Sequence, residues 1–276
     1  MRAESQWRIA VLAAIVGMAA SSDAQVLDTL RVSVDGHRMH LIVGGGGTPA
    51  VVLEAGSGSS SRTWRSLQPD LAAEARVVSY DRAGLGESEP SPRPRTARVI
   101  AEELRSALRA AHVPPPYLLV GHSAGGVYVR VFASMYPTEV VGLVLVDPAP
   151  EDFYARAKRE FPAVYARFDS MDAADMASRP PNELREESEW EANLALARTS
   201  DAIFKGPAIV LSSPRADLAE LGPLWTDEHR RWAQRGPHRE YVRVDGVGHG
   251  MHRERPAVVL DAVRKVLELS GARRRP

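Results

Sequence analysis

The sequence predicts an α/β protein built on a doubly wound, mostly parallel sheet, and three observations predict it. Short runs rich in Val, Leu and Ile alternate with longer segments of helical periodicity through most of the 276 residues. One run, "VVGLVLVDP" (Val140–Pro148), is apolar almost throughout, as a strand covered on both faces must be. A hairpin pattern stands at the front, with Leu30–Val34 and Met39–Val43 flanking the turn signal Asp35-Gly36.

The elements follow in order. Gly44–Gly47 with Thr48-Pro49 reads as a loop, and "AVVLEAG" (Ala50–Gly56) as a buried strand. "TWRSLQPDLAAE" (Thr63–Glu74) is helical, with Pro69 as a possible break, and "ARVVSYD" (Ala75–Asp81) is the next strand. Thr96–Val113 forms an amphipathic helix with Thr96 placed to cap it, and Pro114–Pro116 end it. "YLLVGH" (Tyr117–His122) is a strand and "AGGVYVRVFASMY" (Ala124–Tyr136) a helix. After Val140–Pro148 come two more strands, Pro207–Ser213 and Arg239–Gly246, and a last helix that Pro256 opens. From Glu151 to about Phe204 the alternation stops. That stretch has no strand signal and is rich in Glu, Arg and Ala, so it reads as an insertion of two or three helices over one end of the sheet.

Composition narrows the chemistry. Lys plus Arg and Asp plus Glu number 35 each, so zero net charge argues against a nucleic-acid partner. No cysteine is present, which excludes disulfides, thiolate nucleophiles and Cys-ligated metals. The N-terminus has its own pattern. Arg2 and Arg8 precede the apolar run Ile9–Ala20, and small residues stand at Ser22 and Ala24. This is the layout of a secretory signal peptide over residues 1–24, too short in its apolar core to span a bilayer comfortably. The expectation is a secreted or periplasmic protein, residues 25–276, without a stable membrane anchor.

The chemistry concentrates at "VGHSAGG". Strand, Gly-x-Ser-x-Gly and helix make up a nucleophile elbow. The turn is tight enough that side chains two positions before and after Ser123 would collide, and Gly121 and Gly125 have none. Ser123 then projects beyond the carboxyl end of the sheet at a helix N-terminus, where backbone N–H groups suit a developing oxyanion.

With "VVLEAGSGSSSRTW", "VVSYDRAGLGESEP", "GLVLVDPAPED" and "VDGVGHGMHRERP" beside it, the chain resembles the α/β-hydrolase family over nearly its whole mature length. The resemblance implies an α/β-hydrolase fold: a mostly parallel eight-stranded sheet, helices on both faces and a helical cap at about 151–204. It implies Ser123 as nucleophile and, in the chain order Ser, acid, His, a base after the last strand. His249 in "GVGHGMH" occupies that place, with His252 as the spare. Two carboxylates compete for the acid. Asp147 ends the strand after the elbow, while Asp217 follows the next strand, in a loop one residue long for the usual spacing and disturbed by Pro214. Asp147 is favoured. Asp81, which precedes the serine, is expected to fix its own loop together with Arg82. The oxyanion donors implied are the backbone N–H groups of Ala124 and Ser57; where many relatives carry His-Gly, this chain has Ala55-Gly56-Ser57.

The function so implied is cleavage of a small-molecule carboxylic ester through an acyl-enzyme, with no metal and no cofactor. A serine nucleophile speaks against dehalogenase or epoxide-hydrolase chemistry, which attacks with a carboxylate. Amide or lactone hydrolysis, cofactor-free perhydrolysis and a non-catalytic ligand-binding protein on the same fold are the alternatives. Phe153, Tyr154, Phe161, Tyr165, Phe168 and Trp190 are expected to give the cap a partly apolar underside. The signal pattern makes its own prediction: protein recovered from an exporting host should begin at Gln25 by intact mass. A full-length mass in the membrane fraction would mean an uncleaved anchor instead.

Overall fold

A computed structural model describes residues 26–272, so the signal-like segment lies outside the described residues. The chain forms an eight-stranded sheet in the order β1-β2-β4-β3-β5-β6-β7-β8. β1 (Leu27–Val34) and β2 (His37–Gly44) make the hairpin, with Asp35 and Gly36 both at positive φ between them. β2 runs antiparallel to β4 (Val77–Tyr80). From there β4, β3 (Ala50–Glu54), β5 (Tyr117–His122), β6 (Val140–Val146), β7 (Ala208–Ser212) and β8 (Arg239–Arg243) are parallel.

The near-continuous apolar strands divide by alternation. Val52, Leu119, Leu143 and Leu145 face one layer, and Val51, Leu118, Val120 and Val144 face the other. α1 (Gln68–Ala72) covers the second face through Leu71. α2 (Ala97–Ala110) and α3 (Ala124–Met135) cover the first through Leu104, Leu108, Val129 and Phe132. Thr96 caps α2 as expected, its side chain accepting from the Val99 N–H. The segment Thr63–Glu74 is two pieces. A 3-10 turn, Ser61–Trp64, precedes α1, and Pro69 stands in the first turn of α1, where its missing N–H costs nothing.

Between β6 and β7 the chain forms four helices, where two or three were expected. They are α4 (Phe153–Glu160), α5 (Pro162–Ser178), α6 (Pro181–Glu187) and α7 (Trp190–Ser200). Pro162 and Pro181 each sit at a helix start, so each proline ends one helix and opens the next. Buried Arg130 of α3 pairs with both Glu151 and Asp201, close to where this cap leaves the sheet and returns to it. Burial opposes the Glu151 charge, but Arg130 and Arg235 outweigh it and hold the carboxyl down at about 2.

The sequence pattern did not reveal α8 (Gly222–Gln234). Its buried face carries His229, Glu228 and Thr226 beside Trp225 and Trp232, so polar residues interrupt the apolar stripe that marks a helix. α9 (Met251–Glu254) and α10 (Pro256–Leu269) complete the chain, and α10 packs Val259, Val263 and Val266 onto the second face. The outer strands carry charge. Asp28 and Arg31 are exposed on β1, and Arg243 is exposed on β8, where Glu240 pairs with Lys265 of α10.

Candidate active site

Four chain segments meet beyond the carboxyl ends of β3, β5, β6 and β8. Ser123 follows β5 with φ 53° and ψ −121°, in the positive-φ region that a non-glycine residue enters at a cost of about 1–3 kcal/mol. Three backbone bonds hold it there: Ser123 N–H donates to Val146, and its carbonyl accepts from Gly126 and Ala149. The glycines are needed. A Cβ on Gly121 would stand 2.5 Å from the Gly125 carbonyl oxygen, and one on Gly125 would stand 2.5 Å from that of Glu54.

Asp147 ends β6 and has no exposed surface. Its Oδ1 accepts from the Ser213 N–H at 3.0 Å and the Trp225 indole at 3.1 Å. Its Oδ2 accepts from the Ser213 hydroxyl at 3.0 Å and lies 2.6 Å from His249 Nδ1. Burial pushes this carboxyl up, but the His249 hydrogen bond, the nearby His229 and the Ser213 N–H outweigh it, and the net shift is downward.

Asp217 sits elsewhere. Its side chain is 53% exposed, and Arg215 forks onto it through Nε at 2.9 Å and Nη2 at 2.7 Å. Among the described residues it makes no hydrogen bond to a histidine. Arg215 itself is stacked on Trp225, with Nη1 3.3 Å from His249 Nδ1.

Three other histidines, His122, His252 and His229, are held in buried contacts. His122 Nε2 lies 2.9 Å from the His249 carbonyl; a carbonyl only accepts, so Nε2 carries the proton and ties the His249 loop to the elbow. The spare, His252, is buried against His122 and Trp64 and bonds to Thr63. His229 donates from Nε2 to the Pro148 carbonyl and meets the Ser212 hydroxyl through Nδ1. Asp81 does fix its own loop, accepting from the Ser61 and Glu87 N–H groups. Arg82 does not join it. Its guanidinium reaches Glu54, Glu186 and the carbonyls of Ala55 and Gly56. No local pattern marks these contacts, because the partners of Arg82 are Glu54, the cap residue Glu186 and the Ala55 and Gly56 carbonyls, and that of His122 is the His249 carbonyl.

Ser57, Ser123, Ala124 and His249 line one cavity of about 270 Å³. Its other walls include Ala149, Leu218 and Trp225 with Tyr154, Phe168 and Trp190 of the cap. Phe153 is buried instead against Trp225, Phe161 is exposed, and Tyr165 packs onto Phe168.

This architecture has a family. Residues 51–262 match the model of the alpha/beta hydrolase family, and the chain belongs to it. It is 30% identical to the uncharacterized protein YqjL of Bacillus subtilis over 222 residues, 76% of this chain and 79% of that protein. Among solved structures, a thermophilic esterase from Thermogutta terrifontis superposes with TM-score 0.63 at 21% identity, over 88% of this chain and 99% of that one. The epoxide hydrolase CorEH gives TM-score 0.64, also at 21% identity and the same coverage. An esterase and an epoxide hydrolase fit equally well, so these likenesses establish the fold alone.

The buried rings carry a stability prediction. Burial lowers His122 well below the usual histidine range, with help from His252 and His249, and lowers His229 against the pull of Asp147. Burial, Arg253 and His249 bring His252 down to about 3. The unfolded chain therefore binds protons that the folded one refuses. The stability is whole above the unfolded value near about 6.5 and is lost below it, by up to about 1.4 kcal/mol per pH unit for His252, with His122 and His229 adding loss in the same direction. The urea midpoint should fall steadily from pH 7 to pH 5, less steeply in His252→Gln. A midpoint unchanged over that range would contradict neutral burial.

Proposed function

We propose that this protein is a serine hydrolase of small carboxylic esters, working through Ser123, His249 and Asp147. The observation that carries the reading is the pairing of a strained, cavity-lining Ser123 with a cavity-lining His249 whose Nδ1 lies 2.6 Å from a fully buried carboxylate. Nδ1–H donates to Asp147, which leaves Nε2 with the lone pair a general base needs.

His249 takes the proton from Ser123 as Oγ bonds to the ester carbonyl carbon. The oxyanion is received by the N–H groups of Ser57 and Ala124, neither of which has a hydrogen-bond partner among the described residues. The intermediate collapses, the C–O bond to the alcohol breaks, and His249 gives its proton to the leaving oxygen. Water, deprotonated by His249, then attacks the acyl carbon, the C–Oγ bond breaks, His249 returns the proton to Ser123 Oγ, and the acid leaves. Asp147 orients the ring and stabilises its charged form. Only this chain and water take part, and the N-terminal segment supports an extracytoplasmic setting for the reaction.

The cavity supports a short acyl chain. About 270 Å³ lies below the roughly 300–1,000 Å³ of sites for drug-sized ligands, and walls that mix aromatic rings with Arg179, Glu187 and Arg215 suit a small acyl group over a long alkyl chain.

Hydrolysis of p-nitrophenyl esters tests the reading. Turnover should favour acetate and butyrate over decanoate. Ser123→Ala should lower kcat by at least about 10⁴-fold, and Asp147→Asn by about 10³–10⁴-fold. Asp217→Asn should stay within about tenfold. An Asp217→Asn loss as deep as that of Asp147→Asn would move the acid to the next strand. A ligand-dependent rise in Tm with no turnover in any ester, amide or lactone would favour the binding-protein reading.

A further inference from the structure

We propose that Glu186 and Arg82 are positioning residues that let the cap helix α6 aim the Ser57 N–H at the reacting carbonyl. This rests on the reading of Ser57 as an oxyanion donor. The argument starts from a complete hydrogen-bond account. Arg82 is 1% exposed, and every N–H of its guanidinium has an acceptor. Nε donates to Glu186 Oε1 at 2.7 Å and Nη2 to Glu186 Oε2 at 2.8 Å, the two-pronged fit of a guanidinium on a carboxylate. Nη1 donates to Glu54 Oε1 at 2.7 Å and to the Ala55 carbonyl at 2.8 Å. The remaining Nη2 proton goes to the Gly56 carbonyl at 2.7 Å. Tyr80 donates to the same Glu54 carboxylate, so that group is also held.

The Gly56 carbonyl and the Ser57 N–H belong to one peptide plane. In a trans peptide they point in opposite directions. Fixing the carbonyl on Arg82 therefore fixes the N–H pointing away from the guanidinium. Ser57 lines the cavity with Ser123 and Ala124. The next residue of α6 grips the other end of that plane: the Ser57 hydroxyl donates to Glu187 and receives a bond from Arg179 of the cap at 3.3 Å. Adjacent carboxylates on one cap helix thus hold the donor from both sides, Glu186 through Arg82 and Glu187 through the hydroxyl. The Ser59 N–H also donates to the Gly56 carbonyl, at 3.2 Å, so seating of α6 completes an alignment that the local turn begins.

The experiment compares wild type, Glu186→Gln, Glu187→Gln and Ser123→Ala. A phosphonate ester titrates reactive serine, so rates are expressed per competent site. Each protein is then assayed for kcat and KM on p-nitrophenyl butyrate. Inhibition is measured with an alkyl trifluoromethyl ketone, which forms an oxyanion adduct, and with the alcohol of the same chain, which does not. Glu186→Gln should lower kcat per site by about 10–100-fold, short of the 10²–10³-fold for complete loss of one donor. It should weaken the ketone by a similar factor and leave KM and alcohol inhibition within about threefold. Glu187→Gln keeps the buried Arg82 cluster and should show the same pattern at about 3–10-fold, which decides the matter if Glu186→Gln yields no soluble protein. Fewer titratable sites at unchanged kcat per site would mean a purely structural role and would overturn the proposal. So would a rise in KM alone, which would mean direct contact with substrate. Failure of the underlying reading looks different: Ser123→Ala would keep its turnover, or wild type would bind ketone no better than alcohol.

Discussion

A carboxylate with no exposed surface must be solvated by the protein, and Asp147 is solvated by donors from three separate segments. Ser213 comes from the turn after β7, Trp225 from α8 and His249 from the loop after β8. None of these segments is near Asp147 in sequence, so its set of hydrogen-bond donors is complete only when that half of the sheet is assembled. An unpaired buried charge would be costly enough to unseat all of them. The His249 imidazole is thus oriented by a folding requirement. The second such requirement, around Arg82, lies across the elbow and gathers the β3 and β4 loops and the cap. The elbow stands between two buried polar clusters that define its two sides.

How much of this is legible in the sequence depends on whether the information is local. The strands were legible because a parallel strand buried on both faces is a run of Val, Ile and Leu. The elbow was legible because its steric demand is local: Gly121 and Gly125 answer a collision within five residues. The hairpin turn and the Thr96 cap are local too. α8 was obscured because it buries His229 and Glu228 where a helix ordinarily buries aliphatics. The cap count was low because Pro162 and Pro181 act as helix starts, and a proline between helical stretches reads the same way whether it breaks one helix or opens another.

The site residues divide along the same line. Ser123 and His249 stand out by their flanking glycines and strand ends, and the chain brings both to one cavity. The two candidate carboxylates could not be separated by spacing alone, because what separates them is a tertiary partner. Arg215 forks onto half-exposed Asp217, while buried Asp147 is the carboxylate that meets His249. Asp81 and Arg82 are neighbours in sequence and were expected to share one loop, but their side chains diverge into different networks. Nothing in "YDRAG" discloses that the arginine answers to a glutamate more than a hundred residues away.

The outer strands explain why the sheet stops at eight. A strand with free N–H and C=O groups along one side is a template on which another chain can add. Here the hairpin offers Asp28 and Arg31 at one border, and β8 offers Arg243 and a Glu240 already engaged by Lys265 at the other. An incoming strand would have to strip water from those charges, and at β8 it would also crowd the ion pair to α10. The borders are closed by solvation, with no further strand needed to seal them, and the cavity that holds Ser123 lies beyond the carboxyl ends of the strands, away from both borders.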